Sequence, residues 1–205
     1  MGKSCPSILT GLALWFALLV GVSAQSAFGF TTVVIDAGHG GQDRGGIPGQ
    51  RVPEKVMALD TARRLQIRLR AAGFRTIMTR DGDYFVSPPG RVAIANAQRN
   101  AIFISIHYNA APNAGAEGFE TYYYTRESAR LAAACYSRII QAWPGTRRGI
   151  RTRGFFVIRK TVIPSVLVEP GFLTNAREAA LISQPAMRQR VADLLAAAII
   201  SKRGM

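Results

Sequence analysis

Residues 31–41, TTVVIDAGHGG, constrain this chain more than any other stretch. The β-branched run from Thr31 to Ile35 reads as a buried strand. It breaks at once into a glycine-rich turn carrying His39, one of only two histidines in 205 residues. Glycines on both sides of a side chain let the backbone turn sharply and approach a ligand closely. In open α/β sheets ligands collect at the carboxyl ends of the strands, which is where His39 falls.

Beyond this turn the chain alternates strands with amphipathic helices. From Glu54 to Ala72, apolar Met57, Leu59, Ala62, Leu65, Ile67 and Leu69 recur at helical spacing, with Gly73 as the stop. Phe74 to Thr79 reads as a strand, and Pro88-Pro89 opens a helix through Arg91, Ile94 and Ala97. Ala101 to Ile106 is a strand apolar enough to be covered on both faces. Glu117 to Tyr124 reads as a strand, residues 126–142 as a helix stopped at Pro144-Gly145, and Phe155–Ile158 and Ser165–Val168 as further strands. A helix from Pro185 to Ser201 closes the chain. The fold class expected is α/β: a single-domain, three-layer sandwich whose mostly parallel central sheet, with an antiparallel edge, is flanked by helices.

The chain opens with Lys3, an uncharged apolar run from Ile8 to Val22, and Val22-Ser23-Ala24 before Gln25. That is the layout of a secretory signal peptide over residues 1–24, cut after Ala24, leaving one domain over 25–205. The alternative is an uncleaved N-terminal anchor; with cleavage, no stable membrane insertion is expected. Cys5 leaves with the leader, so Cys135 has no intramolecular partner and reads as a buried, inert thiol on an apolar helix face. Losing Lys3 takes one unit from a formal net charge of +14. So basic a chain favours polyanionic partners. Its arginines are scattered and no nucleic-acid motif accompanies them, so an anionic envelope polymer is the better match than nucleic acid.

Three strand ends carry the polar residues that matter. His107 follows the strand ending at Ile106, and Glu169 closes the apolar run Val166-Leu167-Val168. A carboxylate beside Val168 and Pro170 is costly to bury unless something cationic answers it. Glu54 opens the first helix, where the macrodipole alone would favour an acid. The glycine-rich loop, however, returns from His39 and delivers Glu54 close by. Two histidines and a carboxylate make a three-ligand site with room for water, the pattern of catalytic zinc. A second glutamate is then free to move the proton. The residues alone leave open which glutamate is ligand and which is base. The same donor set also serves non-haem iron.

Taken in order, Val34-Ile-Asp-Ala-Gly-His39-Gly-Gly, Glu54-Lys55, Thr79-Arg80 with Asp81 and Asp83, Arg91-Val-Ala-Ile-Ala-Asn96, Ser105-Ile-His107-Tyr-Asn109 and Val168-Glu169-Pro-Gly-Phe172-Leu-Thr-Asn175 resemble the catalytic domain of zinc-dependent N-acetylmuramoyl-L-alanine amidases. The likeness runs from about Thr31 to Arg203. It implies that His39, Glu54 and His107 hold one Zn2+ per chain and that Glu169 is the catalytic acid/base. It implies peptidoglycan as substrate, cut between the lactyl group of N-acetylmuramic acid and L-alanine, and an exported protein that is periplasmic or cell-wall associated. Two departures stand out. Pro88-Pro89-Gly90 replaces a usual leucine ahead of the arginine helix. Tyr108 stands where a small residue is commoner and either reshapes the groove or packs away from it. Some relatives carry an inserted helix that plugs the site; the span from Asn109 to Ser165 leaves no obvious plug, so no protein activator is evident. Competing readings are a zinc carboxypeptidase acting on wall peptides and a wall-binding protein without turnover.

Overall fold

The computed structural model describes residues 1–2, 29–141 and 143–203. The apolar run and cleavage point of the expected leader fall outside these residues, as does the expected helix end at residue 142. Among the described residues no helix is long and apolar enough to cross a membrane.

Six strands form one sheet: β1 (Thr32–Ala37), β2 (Arg75–Met78), β3 (Ala101–Ile106), β4 (Phe119–Tyr123), β5 (Arg147–Thr152) and β6 (Ser165–Pro170). Their order is β2-β1-β3-β6-β4-β5. β2, β1, β3 and β6 are mutually parallel, β4 is antiparallel to β6, and β5 is parallel to β4. The antiparallel seam therefore lies inside the sheet rather than at its edge. β3 passes to β4 through residues 107–118 without a helix, and β4 joins the sheet beyond β6 in the opposite direction.

Helices α1 (Glu54–Ala71), α3 (Ala129–Ile139) and α6 (Pro185–Ile200) cover one face. The short helix α5 (Ala176–Ser183) precedes α6, and α2 (Pro88–Asn96) and α4 (Phe156–Arg159) cover the other face. Strand alternation divides the core accordingly. Val33, Ile35, Ile104, Ile106, Val166 and Val168 face the larger core with Leu65, Leu69, Leu131 and Leu195, while Val34, Phe103 and Leu167 face a smaller one with Ala95 and Ile158. Coverage of both faces explains why β1, β3 and most of β6 are buried along their lengths.

The helix expected from Glu54 is α1, with Leu59, Ala62, Leu65 and Leu69 buried, but Ile67 is 65% exposed and lies off the apolar stripe. The strand expected at Phe155–Ile158 is instead the single turn α4, which buries Val157 and Ile158 in the smaller core. Four apolar residues in a row carry no periodicity long enough to separate a strand from a buried helical turn. The strand in this part of the chain is β5, whose Arg147, Arg148 and Arg151 hide it from an apolar search; charge suits a sheet edge that must not recruit another strand.

Candidate metal centre

At the carboxyl end of β1 the chain enters the loop that carries His39, whose own backbone is left-handed at φ 59°. Two buried arginines hold this loop. Arg80 donates to the carbonyls of Ala37 (2.9 Å), Gly38 (2.7 Å) and Lys55 (2.8 Å). Arg91, from α2, donates to Ala37 O and His39 O, each at 2.6 Å. Beneath them Asp36 is fully buried and accepts from Arg91 Nη1 (2.7 Å), Thr79 Oγ1 (2.6 Å) and Ser105 Oγ (2.6 Å). Burial works against its charge, yet Arg91 and the two hydroxyls hold its carboxyl below the usual range. A single carboxylate thus ties β1 to β2, β3 and α2 directly under the loop.

His39, Glu54 and His107 converge. His39 Nε2 lies 3.0 Å from Glu54 Oε2, His107 Nδ1 lies 2.8 Å from Glu54 Oε1, and the two ring nitrogens are 3.1 Å apart. The donor atoms of all three lie within 4.8 Å of one another. The second nitrogen of His39, Nδ1, is 2.8 Å from Asp43 Oδ2. That carboxylate assigns the proton to Nδ1 and leaves the Nε2 lone pair facing the cluster. Glu54 Oε1 also accepts from the Tyr108 amide at 2.9 Å. Burial opposes ionisation of Glu54, but its contacts with His107 and His39 hold its pKa at about 2. Burial likewise opposes the His39 cation, and Glu54 and Asp43 outweigh it, so its pKa is raised. Lone pairs from two imidazoles and a carboxylate directed at one point repel unless a cation sits among them. The donor set fits a divalent metal of the borderline class to which zinc belongs. The rings are 22% and 18% exposed while the Glu54 side chain is 5% exposed, so the cluster opens to solvent on its histidine side.

Glu169 stands on the adjoining strand. Ile106 pairs with Val168, which places His107 and Glu169 one step beyond on neighbouring strand ends of the same sheet face. Its Oε2 is closed off from solvent and has no hydrogen-bond partner, although the residue as a whole is partly exposed. Burial, then the charges of Glu54 and Glu120, push its pKa well above the ordinary carboxylate value. Glu120 is the residue directly opposite on β4. It accepts from Arg148 Nε (2.6 Å), Asn109 Nδ2 (3.0 Å) and Tyr122 Oη, and Arg151 lies 3.5 Å away. Burial is again outweighed, here by Tyr122 and the arginines, and Glu120 is held ionised. An ionised carboxylate so placed adds to burial and to Glu54 in disfavouring the charged form of Glu169.

The family model described as N-acetylmuramoyl-L-alanine amidase matches residues 33–201. The chain belongs to that amidase family. A relative of that name, LytC of Bacillus subtilis (strain 168), is 39% identical over 169 residues, covering 80% of this chain and 34% of its own length. This chain therefore spans about a third of that relative. The uncharacterised protein YqiI of the same organism is 35% identical over 191 residues and is covered over 91% of its length, as is this chain. Among solved structures, the catalytic domain of CwlV, an N-acetylmuramoyl-L-alanine amidase from Bacillus (Paenibacillus) polymyxa var. colistinus, superposes with a TM-score of 0.78 at 34% identity, covering 84% of this chain and 97% of that one.

All four residues singled out from the sequence of this amidase-family chain meet at one end of the sheet. Sequence reasoning misses the parts played by Glu120, Asp36, Arg80 and Asp43. The signal available for Glu120 and Arg80 is their position near the start or end of a strand. For Asp36 it is a lone acid inside an apolar strand. Tyr108 packs away from the groove: it is buried in the larger core and its hydroxyl lies 2.6 Å from Thr61 Oγ1. Asn175 caps α5 by accepting from the Arg177 and Glu178 amides, and Asn109 braces Glu120, so both have structural work. The Pro88-Pro89-Gly90 departure forms a regular helix start, with Ser87 Oγ accepting from Gly90 N.

Proposed function

We propose that this chain is a zinc-dependent N-acetylmuramoyl-L-alanine amidase that hydrolyses peptidoglycan between the muramic acid lactyl group and L-alanine. The observation that carries the reading is the His39–Glu54–His107 cluster beside a partnerless, buried oxygen of Glu169, in a chain of this family. His39 Nε2, Glu54 and His107 Nδ1 would hold the metal. When bound, zinc supplies Lewis acidity that polarises a carbonyl and makes water acidic near pH 7. Glu169 takes the proton from the attacking water and delivers it to the amide nitrogen as the C–N bond breaks. Its raised pKa makes it a stronger base for the first half than an ordinary carboxylate. Asp43 orients His39, and Glu120 biases Glu169 towards its neutral form.

The protein is proposed to be exported and to act in the periplasm or at the cell wall. We further propose that it acts without a protein activator, since both histidine rings are reachable from solvent. The test joins zinc content with product analysis on purified sacculi. Alanine at His39, Glu54 or His107 should remove the metal. Glu169→Ala should keep it and lose turnover by about 10²–10⁴-fold, the usual worth of general acid–base catalysis. A metal-free Glu169→Ala beside a zinc-loaded Glu54→Ala would reverse the two roles. Release of terminal amino acids instead of intact stem peptides would establish the carboxypeptidase alternative.

A further inference from the structure

Eight phenylalanines lie among the described residues, and five of them, Phe30, Phe74, Phe103, Phe119 and Phe172, are at most 4% exposed. The other three, Phe85, Phe155 and Phe156, are 42%, 42% and 39% exposed. All three line one recess of about 390 Å³, and its remaining wall includes His39 and His107. They come from separate parts of the chain, the loop before α2 and the start of α4. Leaving such rings in water is unfavourable, and a patch of them beside a reactive cluster marks a binding surface. Phe155 is held by an edge-to-face contact with Tyr122, centroids 5.0 Å apart, so that ring is positioned before anything binds.

On the far side of His39 and Asp43 a second recess, about 530 Å³, is polar and bears Arg44 and Gln50; through Gln50 and its neighbours it joins a groove of about 680 Å³ that bears Arg51. The two sides therefore differ in character and meet at His39. On the aromatic side Asp36 is buried and paired with Arg91, and Asp43, hydrogen-bonded to His39 Nδ1, stands on the boundary shared with the second recess, so the wall that the phenylalanines form is apolar. A wall substrate is divided in the same way. Its sugar rings are uncharged and present C–H faces, whereas its stem peptide carries carboxylates.

Building on the amidase reading above, we infer that Phe85, Phe155 and Phe156 form the subsite for the pyranose rings of the glycan strand, with the stem peptide directed along the arginine-bearing side. The electron-rich faces of the rings meet the electropositive C–H faces of the sugar, and stacking excludes water from both. Placing the glycan on one side of His39 and the peptide on the other brings the amide between them to the histidines.

The probe is a peptide-free oligosaccharide of alternating N-acetylglucosamine and N-acetylmuramic acid, titrated into the full chain by NMR. The parent should bind it, and the triple variant Phe85→Ala, Phe155→Ala, Phe156→Ala should bind about tenfold or more weakly, as expected on losing partly buried aromatic area. The variant should also lose the parent's preference, in kcat/KM, for a muramyl peptide over the same peptide carrying only a lactyl group. Phe155→Tyr with Phe156→Tyr keeps the ring faces and should keep both properties, which separates stacking from a folding defect. A parent that cleaves the muramyl amide while the triple variant binds the glycan equally well overturns the subsite. Equal loss on the muramyl and lactyl substrates, with glycan binding intact, overturns it too. A parent that binds glycan through these rings but cleaves no amide overturns the amidase reading and leaves the subsite standing.

Discussion

A Cβ on Gly38 would come within 3.0 Å of the His107 ring. One on Gly45, whose φ is +70°, would meet His39 Cδ2 at 2.5 Å and Glu54 Oε2 at 2.6 Å. These two glycines are the space into which the cluster fits, so Gly38→Ala should impair metal uptake while secondary structure, read by circular dichroism, persists. Asp43→Ala frees the His39 ring to rotate and to change tautomer; metal affinity should fall about 10–100-fold in a chelator competition, as for other outer partners of a ligating histidine. Glu169 makes a prediction of opposite sense. Its folded pKa lies above its unfolded value, so the folded state binds the extra proton. Its contribution is thus most favourable below the ordinary carboxylate pKa and is lost as pH rises through the folded pKa. Glu169→Gln should therefore melt higher than the parent at pH 8, and the difference should shrink towards pH 4. An equal or lower melting temperature at pH 8 would mean that the Glu169 carboxylate is better solvated than its buried Oε2 implies.

Among the elements, the join between β1 and α2 has the largest stake. Removing Asp36 leaves the Arg91 guanidinium buried without its counter-charge, and breaking a buried pair on one side costs about 3–5 kcal/mol. Asp36→Ala should show a loss of that order in urea unfolding, with reduced metal content, because Arg91 also fixes the Ala37 and His39 carbonyls. The folded pKa of Asp36 is depressed, so the stability it contributes is present above its unfolded value and disappears as pH falls through the folded one. Strand β4 is the corresponding join on the far side. Its antiparallel register with β6 sets Glu120 opposite Glu169.

For the molecule as a whole, charge is the dominant property, with 26 basic against 12 acidic side chains. Three of the arginines lie on β5, at the sheet edge, and Arg147 among them is not engaged with Glu120. A surface of this kind should hold anionic wall material through exposed charges, which are screened over about 8 Å at physiological ionic strength. Retention of the protein on sacculi should weaken steeply as sodium chloride is raised. Retention indifferent to salt would assign wall affinity to contacts other than charge. The buried Cys135, its thiol pushed up to about 12 by burial, should stay unmodified by thiol reagents in the native state. Local structure is legible in the residues themselves. The β-branched run before His39, the spacing of Leu59, Ala62, Leu65 and Leu69, and the apolar stretch from Ala101 to Ile106 each specify an element, because side-chain period follows from backbone geometry. The rule that reactive groups gather at strand ends then sufficed to select His39, His107 and Glu169. Partners across the sheet were decided only by the tertiary structure. Phe155–Ile158 became a helical turn because the smaller core takes Val157 and Ile158 from one side. Glu120 met Glu169 because β4 and β6, strands far apart in the chain, pair in that one register. Neither outcome has a period to read, since each depends on which distant chain segment fills the neighbouring space.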